Sequence, residues 1–288
     1  MNAFTKAKAG GAATYVDLAK VPEFLRFTPR KTAAVIKRKV TLIRAYFRRY
    51  GFKKAVIGLS GGIDSAVAAA LTARAIGPEN VIILRLPCGA ATESVAIAGE
   101  TAATLGIPGS NVFTVNIGDA VEASWRAAKD ILGEGGNTAL QRGNMAARER
   151  MKILEHACSM HGGILIGTEN RTEHLLAYYT IGGDNISGLE PFLGLYKVQV
   201  YAIAAKLGLP ARVLRRKPTA ELWSGQTDEG ELGVDYLTID TILAGVIDND
   251  LGVANLKKLC GVPPTTARKV LDFVVSKKGK REAPYIVP

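Results

Sequence analysis

A chain of 288 residues with 48% hydrophobic content can build one large core, so a default disordered state is excluded. No apolar stretch approaches the ~20 residues of a bilayer-spanning helix, and the N-terminus has no apolar leader, so neither a membrane partner nor a secretory route is expected. The net charge of +11 is unevenly placed: residues 1–50 carry 12 Lys/Arg against only Asp17 and Glu23, which leaves the remainder nearly neutral, unlike a uniform nucleic-acid-binding surface. Cys88, Cys158 and Cys260 are odd in number and include no Cys-x-x-Cys, so a reducing cytoplasm is expected and disulfide or zinc sites are not. His156, His161 and His174 lack metal-ligand spacing.

Within the basic segment Ile36, Val40, Ile43, Phe47 and Tyr50 recur at helical spacing among Lys37, Arg38, Lys39, Arg44, Arg48 and Arg49. That pattern predicts an amphipathic helix packed on the body, with residues 1–30 read as a basic extension and 31–288 as one domain. The strand Ala55-Val56-Ile57 precedes a glycine turn and a helix over Asp64–Ile76. A second strand is expected at Val81–Leu86, a helix at Thr92–Leu105, a third strand at Val112–Asn116, a long helix at Asn144–His161 and a fourth strand at Ile164–Gly167. Strands that are apolar throughout and alternate with helices indicate an α/β doubly wound parallel sheet, whose ligands bind beyond the C-terminal strand ends. Beyond Tyr196 the pattern is helical, at 196–207, 235–248, 253–260 and 265–276, with breaks at Gly208-Leu209-Pro210 and Gly261-Val262-Pro263-Pro264.

The turn itself reads Gly58-Leu59-Ser60-Gly61-Gly62-Ile63-Asp64-Ser65. Glycines let backbone N–H groups approach a ligand, and the following helix presents its positive end, so the site calls for an anion. Ser60 and Ser65 can donate to phosphate oxygens. Asp64 would repel them unless a divalent cation lies between, which points to a nucleotide polyphosphate with Mg2+ although the Walker spacing is absent. Gly58-Leu59-Ser60-Gly61-Gly62 also fits a nucleophile elbow, with His161-Gly162-Gly163 as an oxyanion loop. The order of these elements is wrong for an α/β-hydrolase, and no histidine follows His174.

The segment from Ser60 to Ser65 resembles the pyrophosphatase loop of the N-type ATP pyrophosphatases, an adenine nucleotide alpha hydrolase-like fold. Further motifs stand in one order: Arg142-Gly-Asn-x-x-Ala-Arg148-x-Arg-Met151, Gly167-Thr168-x5-Glu173, Gly183-Asp184, Glu190-Pro191-x4-Tyr196-Lys197, and Lys217-Pro-Thr219 through Glu229. Together they are similar to ammonia-dependent NAD synthetases over about Val40 to Tyr236. The resemblance implies transfer of AMP from ATP to the nicotinate carboxylate of deamido-NAD, followed by displacement of AMP by ammonia. It assigns the loop Gly58–Ser65 with Thr168, Lys197 and Thr219 to ATP, Asp64 and Glu173 to Mg2+, Arg148 and Glu190 to the acceptor, and Lys197 and Asp184 to catalysis. It also implies a homodimer.

Two departures accompany this likeness. Where the family has a lysine and an aspartate that bind the dinucleotide, this chain has Ile181 and Gly188, and of a C-terminal His-Lys pair only a lysine within Lys278-Gly279-Lys280-Arg281 is retained. An amide ligase acting on a different carboxylate therefore remains an alternative. A tRNA-modifying pyrophosphatase is a weaker one, since no close cysteine pair is present.

Overall fold

Four short strands, apolar on both faces, pair in parallel at the centre of the molecule: β1 (Lys54–Gly58), β2 (Val81–Arg85), β3 (Val112–Thr114) and β4 (Gly163–Leu165). The computed structural model describes residues 13–90, 93–128, 131, 138–219 and 225–282. The strand order β3-β2-β1-β4 means that the chain winds outward from β1, then crosses back to place β4 on the other side. The order reverses beside β1, and in such sheets the crevice beyond the strand ends at that point receives the ligand. The fold is thus the doubly wound α/β arrangement with a helical C-terminal part that the sequence predicts. β3 is the least buried strand, with no residue of it fully buried. It is an edge strand, and Phe113 is 43% exposed.

Helices cover the sheet: α1 (Pro29–Tyr50), α2 (Ile63–Ile76), α3 (Glu93–Thr104), α4 (Gly118–Ala127), α5 (Thr138–His161), α6 (Arg171–Leu176) and α7 (Lys197–Leu207). They are followed by α8 (Ala211–Arg215), α9 (Asp228–Leu232), α10 (Tyr236–Leu243), which runs on into a π-turn at Ala244–Asp248, α11 (Val253–Cys260), α12 (Pro264–Ser276) and α13 (Lys278–Arg281). The Ala-rich α2 is buried almost throughout, from Ala66 to Ala73, because small side chains let it lie close between the sheet and its neighbours α1 and α7.

Helix α1 starts at a Thr28 cap, whose side chain accepts the Lys31 N–H, and ends at Gly51 in the left-handed region. Its predicted stripe is used within the chain: Ile36, Ile43 and Phe47 are buried against α2 and α7, while Tyr50 remains 55% exposed. Val16, Val21 and Leu25 join the same core, and the Tyr15 N–H donates to the Leu214 carbonyl at 2.7 Å. Residues 1–12 of the expected extension, and 220–224 of the motif after Thr219, lie outside the described residues.

Candidate active site

The turn between β1 and α2 uses backbone that glycine alone tolerates well. Gly61 has φ +80°, and a Cβ there would stand 2.6 Å from the Ser94 carbonyl oxygen. The hydroxyls are held in place before any ligand arrives. Ser60 Oγ and Ser65 Oγ lie 3.0 Å apart, and the Gly62 N–H donates to Ser60 Oγ at 3.2 Å. Arg216 donates to the Ser60 carbonyl at 3.4 Å, placing a cation at the rim. Two hydroxyls, a helix start and an arginine at the rim make this a candidate anion pocket.

Below the turn three elements converge. Lys197, the first residue of α7, donates to Asp64 Oδ2 at 2.5 Å and to Glu173 Oε1 at 2.9 Å, and its side chain is only 3% exposed. Asn170 caps α6 through a reciprocal pairing with Glu173 and also donates from Nδ2 to Asp64 Oδ1 at 2.9 Å, so one residue orients both carboxylates. The Tyr236 ring lies 5.0 Å from Lys197 Nζ, and its hydroxyl donates to Asp228 Oδ2 at 3.0 Å. Burial pulls the Lys197 ammonium down, but Asp64 and Glu173 outweigh it and hold the group well above the usual lysine value. Burial, reinforced by Asp64, pushes the Glu173 carboxyl up against the opposing pull of Lys197.

Asp64 and Glu173 already converge on a single positive charge, and both offer the hard oxygen donors that Mg2+ takes, so the pair fits that metal. Among the described residues no group of three or more His, Cys, Asp or Glu surrounds one point. Further ligands must come from phosphate oxygens or water.

Thr172 and Asp240 fix the start of α7, a role that no sequence motif signals. The Thr172 hydroxyl donates to Asp240 Oδ1 at 2.6 Å, Thr172 Oγ1 accepts the Lys197 N–H at 2.9 Å, and Asp240 Oδ2 accepts the Val198 N–H at 2.8 Å. Burial raises the Asp240 carboxyl to about 7. Only packing of α10 behind the site brings Asp240 here, and its place in the chain gives no hint of it.

The other end of the site is assembled differently. Asp184 accepts the Thr180 N–H at 2.8 Å and is raised by burial. Glu190 accepts the Ser187 hydroxyl at 2.8 Å, and burial lifts it to about 7. Glu169 rises to about 8, first through burial and then through the charges of Glu190 and Asp184. Lys280 reaches in from α13, donating to the Ala177 carbonyl at 2.8 Å and to the Tyr179 carbonyl. Of the segment Lys278–Arg281, Lys280 is the residue that lines the cavity, whereas Lys278 pairs with Glu282.

Ile181 is 49% exposed, and its carbonyl accepts from Arg148 Nε at 3.1 Å. Gly188 is pressed against β4, where an added Cβ would meet Ile164 Cγ1 at 2.4 Å. An aspartate at this position would require the Ile164 side chain to move.

One cavity of about 1150 Å³ connects the two ends, running from the turn past Thr168 and Thr219 to Asp184 and Lys280. All turn residues except Gly61 line it, as do Glu173 and Lys197; the Thr219 hydroxyl is held by the Gln226 carbonyl at 2.8 Å. Arg148 and Glu190 are not on its wall, whereas Arg142 and Arg150 of the same α5 motif are. Among the described residues no histidine lines it, so the structure gives the hydrolase reading no support.

The NAD synthase family model matches residues 35–284. An NH(3)-dependent NAD(+) synthetase of Trichlorobacter lovleyi is 38% identical over 83% of this chain and 84% of its own length. Among solved structures, an NMN synthetase from Francisella tularensis superposes with a TM-score of 0.76 at 28% identity, covering 91% of this chain and 99% of the other. An NH3-dependent NAD synthetase from Campylobacter jejuni gives a TM-score of 0.73 at 26% identity, covering 89% and 99%.

Proposed function

Because the chain belongs to the NAD synthase family, we propose that it amidates deamido-NAD with ammonia at the expense of ATP. The observation that carries this reading is the buried Lys197 between Asp64 and Glu173, directly under an anion-binding turn at the switch point of the sheet. A carboxylate does not react with ammonia because oxide is a very poor leaving group. An oxygen of the acceptor carboxylate therefore attacks the α-phosphorus of ATP, and pyrophosphate leaves. Ammonia then adds to the acyl carbon, and AMP departs carrying that oxygen.

The turn Gly58–Ser65 holds the leaving pyrophosphate through its N–H groups and hydroxyls, and Thr168, Thr219 and Lys197 contact the nucleotide. Asp64 and Glu173 would hold Mg2+, which when bound neutralises charge on the pyrophosphate. Asp184, on the wall of the cavity, takes the proton from ammonium, a role that its raised carboxyl suits. Arg148 and Glu190 act on the acceptor by holding the segment from Thr180 to Glu190 in place.

Residues 31–288 form the catalytic unit in this reading, with 1–30 as an extension that partly packs on it. The enzyme works in the cytoplasm, where free thiols such as the exposed Cys88 persist. It forms a homodimer through a face other than the covered stripe of α1, and exposed Phe113 (43%), Val115 (39%) and Met160 (71%) provide apolar surface for one. Light scattering at micromolar protein tests this, and a monomer would contradict it.

The direct test incubates the protein with deamido-NAD, ATP, Mg2+ and ammonium. NAD, AMP and pyrophosphate should appear in equal amounts. Nicotinate mononucleotide run in parallel reads how far Ile181 and Gly188 alter acceptor choice, and deamido-NAD is expected to be the better substrate. No NAD at saturating deamido-NAD would overturn the reading.

A further inference from the structure

The two carboxylates assigned to the metal do not wait for it with open coordination sites. Lys197 Nζ sits 2.5 Å from Asp64 Oδ2 and 2.9 Å from Glu173 Oε1, with 3% of the lysine side chain and 17% of each carboxylate exposed. We propose that Lys197 holds the cation position between Asp64 and Glu173 in the nucleotide-free enzyme and excludes divalent metal until ATP arrives. The inference rests on the reading of this site as a metal-assisted ATP site.

An ammonium group and a divalent cation cannot share the same two oxygens, because their charges repel at contact distance inside a poorly solvated pocket. A metal arriving alone would find two protein ligands where Mg2+ wants about six oxygens, and among the described residues no third acidic or imidazole ligand stands ready. It would also have to expel a buried lysine from the two carboxylates that hold it. ATP removes both obstacles: its phosphate oxygens complete the metal's ligand set and give Lys197 an anion to turn toward.

The chain is built for such a movement. The backbone of Lys197 is anchored, its N–H donating to Thr172 Oγ1 at 2.9 Å, whereas the four-carbon stem above it can reorient. The Tyr236 ring, 5.0 Å from Nζ, keeps an aromatic face beside the ammonium. Metal and nucleotide binding are thereby coupled, and their mutual dependence passes through one side chain.

Free Mn2+ is measured by electron paramagnetic resonance in titrations of the full chain without nucleotide. Lys197→Met should bind Mn2+ at least about tenfold more tightly than wild type, and Lys197→Arg, which keeps the cation, should not. Adding Asp64→Asn to Lys197→Met should abolish the gain. Equal affinity of Lys197→Met and wild type, or a gain that survives Asp64→Asn, would overturn the proposal.

Should Lys197→Met fail to fold, wild-type protein with 13C-labelled lysine gives the second reading. The Lys197 signal, identified by its loss in Lys197→Arg, should stay in place with Mg2+ alone at about 1 mM and move with Mg2+ and ATP together. A shift with Mg2+ alone would contradict the proposal. NAD formation by the wild type judges the underlying reading separately: an active enzyme whose Lys197→Met form gains no metal affinity loses this inference alone.

Discussion

The two ends of the cavity hold their polar groups by opposite means. At the nucleotide end, Asp64, Glu173 and Lys197 satisfy one another side chain to side chain, with Asn170 orienting both acids. At the acceptor end the contacts run largely to backbone: Arg148 to the Ile181 carbonyl, Lys280 to the carbonyls of Ala177 and Tyr179, and Asp184 to the Thr180 N–H. The first end therefore depends on residue identity and the second on the path of the chain. Substitutions should be severe in one and mild in the other.

The largest effect is expected at Asp64. Asp64→Ala should lower pyrophosphate release by about 10³ or more in a folded protein if, as proposed, Asp64 holds the charge-neutralising cation. Near-wild-type release would break the comparison at its stronger end. Lys197→Met should cost on the order of 10² in kcat, and a change under about threefold would count against it.

Behind that end, Asp240→Asn leaves either the Thr172 hydroxyl or the Val198 N–H without its acceptor. A loss of about 1–3 kcal/mol in urea unfolding is expected, together with lower kcat as the start of α7 loosens. Unchanged stability would show that Asp240 does not position Lys197.

At the acceptor end, Ile181→Lys adds a charge to an exposed side chain and should change KM for deamido-NAD by only a few fold, leaving kcat alone. A drop in kcat would place Ile181 nearer the chemistry than the structure does. Gly188→Asp should instead cost stability, because Ile164 must give way.

The last effect is a pH dependence. Glu169 is raised from 4.5 to about 8, so the folded protein keeps a proton that the unfolded chain releases. The stability this contributes is complete below about pH 4.5 and is lost as pH rises toward 8. Glu169→Gln should flatten the fall in unfolding free energy between pH 5 and 8, as denaturant curves at several pH values would show. An unaltered slope would contradict the shift.

This division also governs what could be read in advance. The glycine turn follows from residue type, whereas Thr168, Glu173 and Lys197 are singled out by the family resemblance of the motifs around them, and apolar strand runs locate β1, β2 and β4 to within a residue or two. Thr172, Asp240 and Tyr236 were not legible, since their roles arise from α6, α7 and α10 packing together over long separations. The short helices α4, α6, α8 and α9 escaped because five to ten residues give little periodicity. Helix phase decides what the α5 motif presents: Arg142 and Arg150 face the cavity, whereas Arg148 is exposed and reaches the Ile181 carbonyl.

Adenylation of the acceptor is the claim on which the rest depends, and oxygen labelling tests it most directly. Deamido-NAD carrying 18O in its nicotinate carboxylate is turned over with ATP, Mg2+ and ammonium, and the AMP is weighed by mass spectrometry. One 18O per AMP is the expected result, because the attacking carboxylate oxygen leaves with the phosphate. Unlabelled AMP formed alongside NAD would contradict an adenylated intermediate and with it the roles given to Asp64, Glu173 and Lys197.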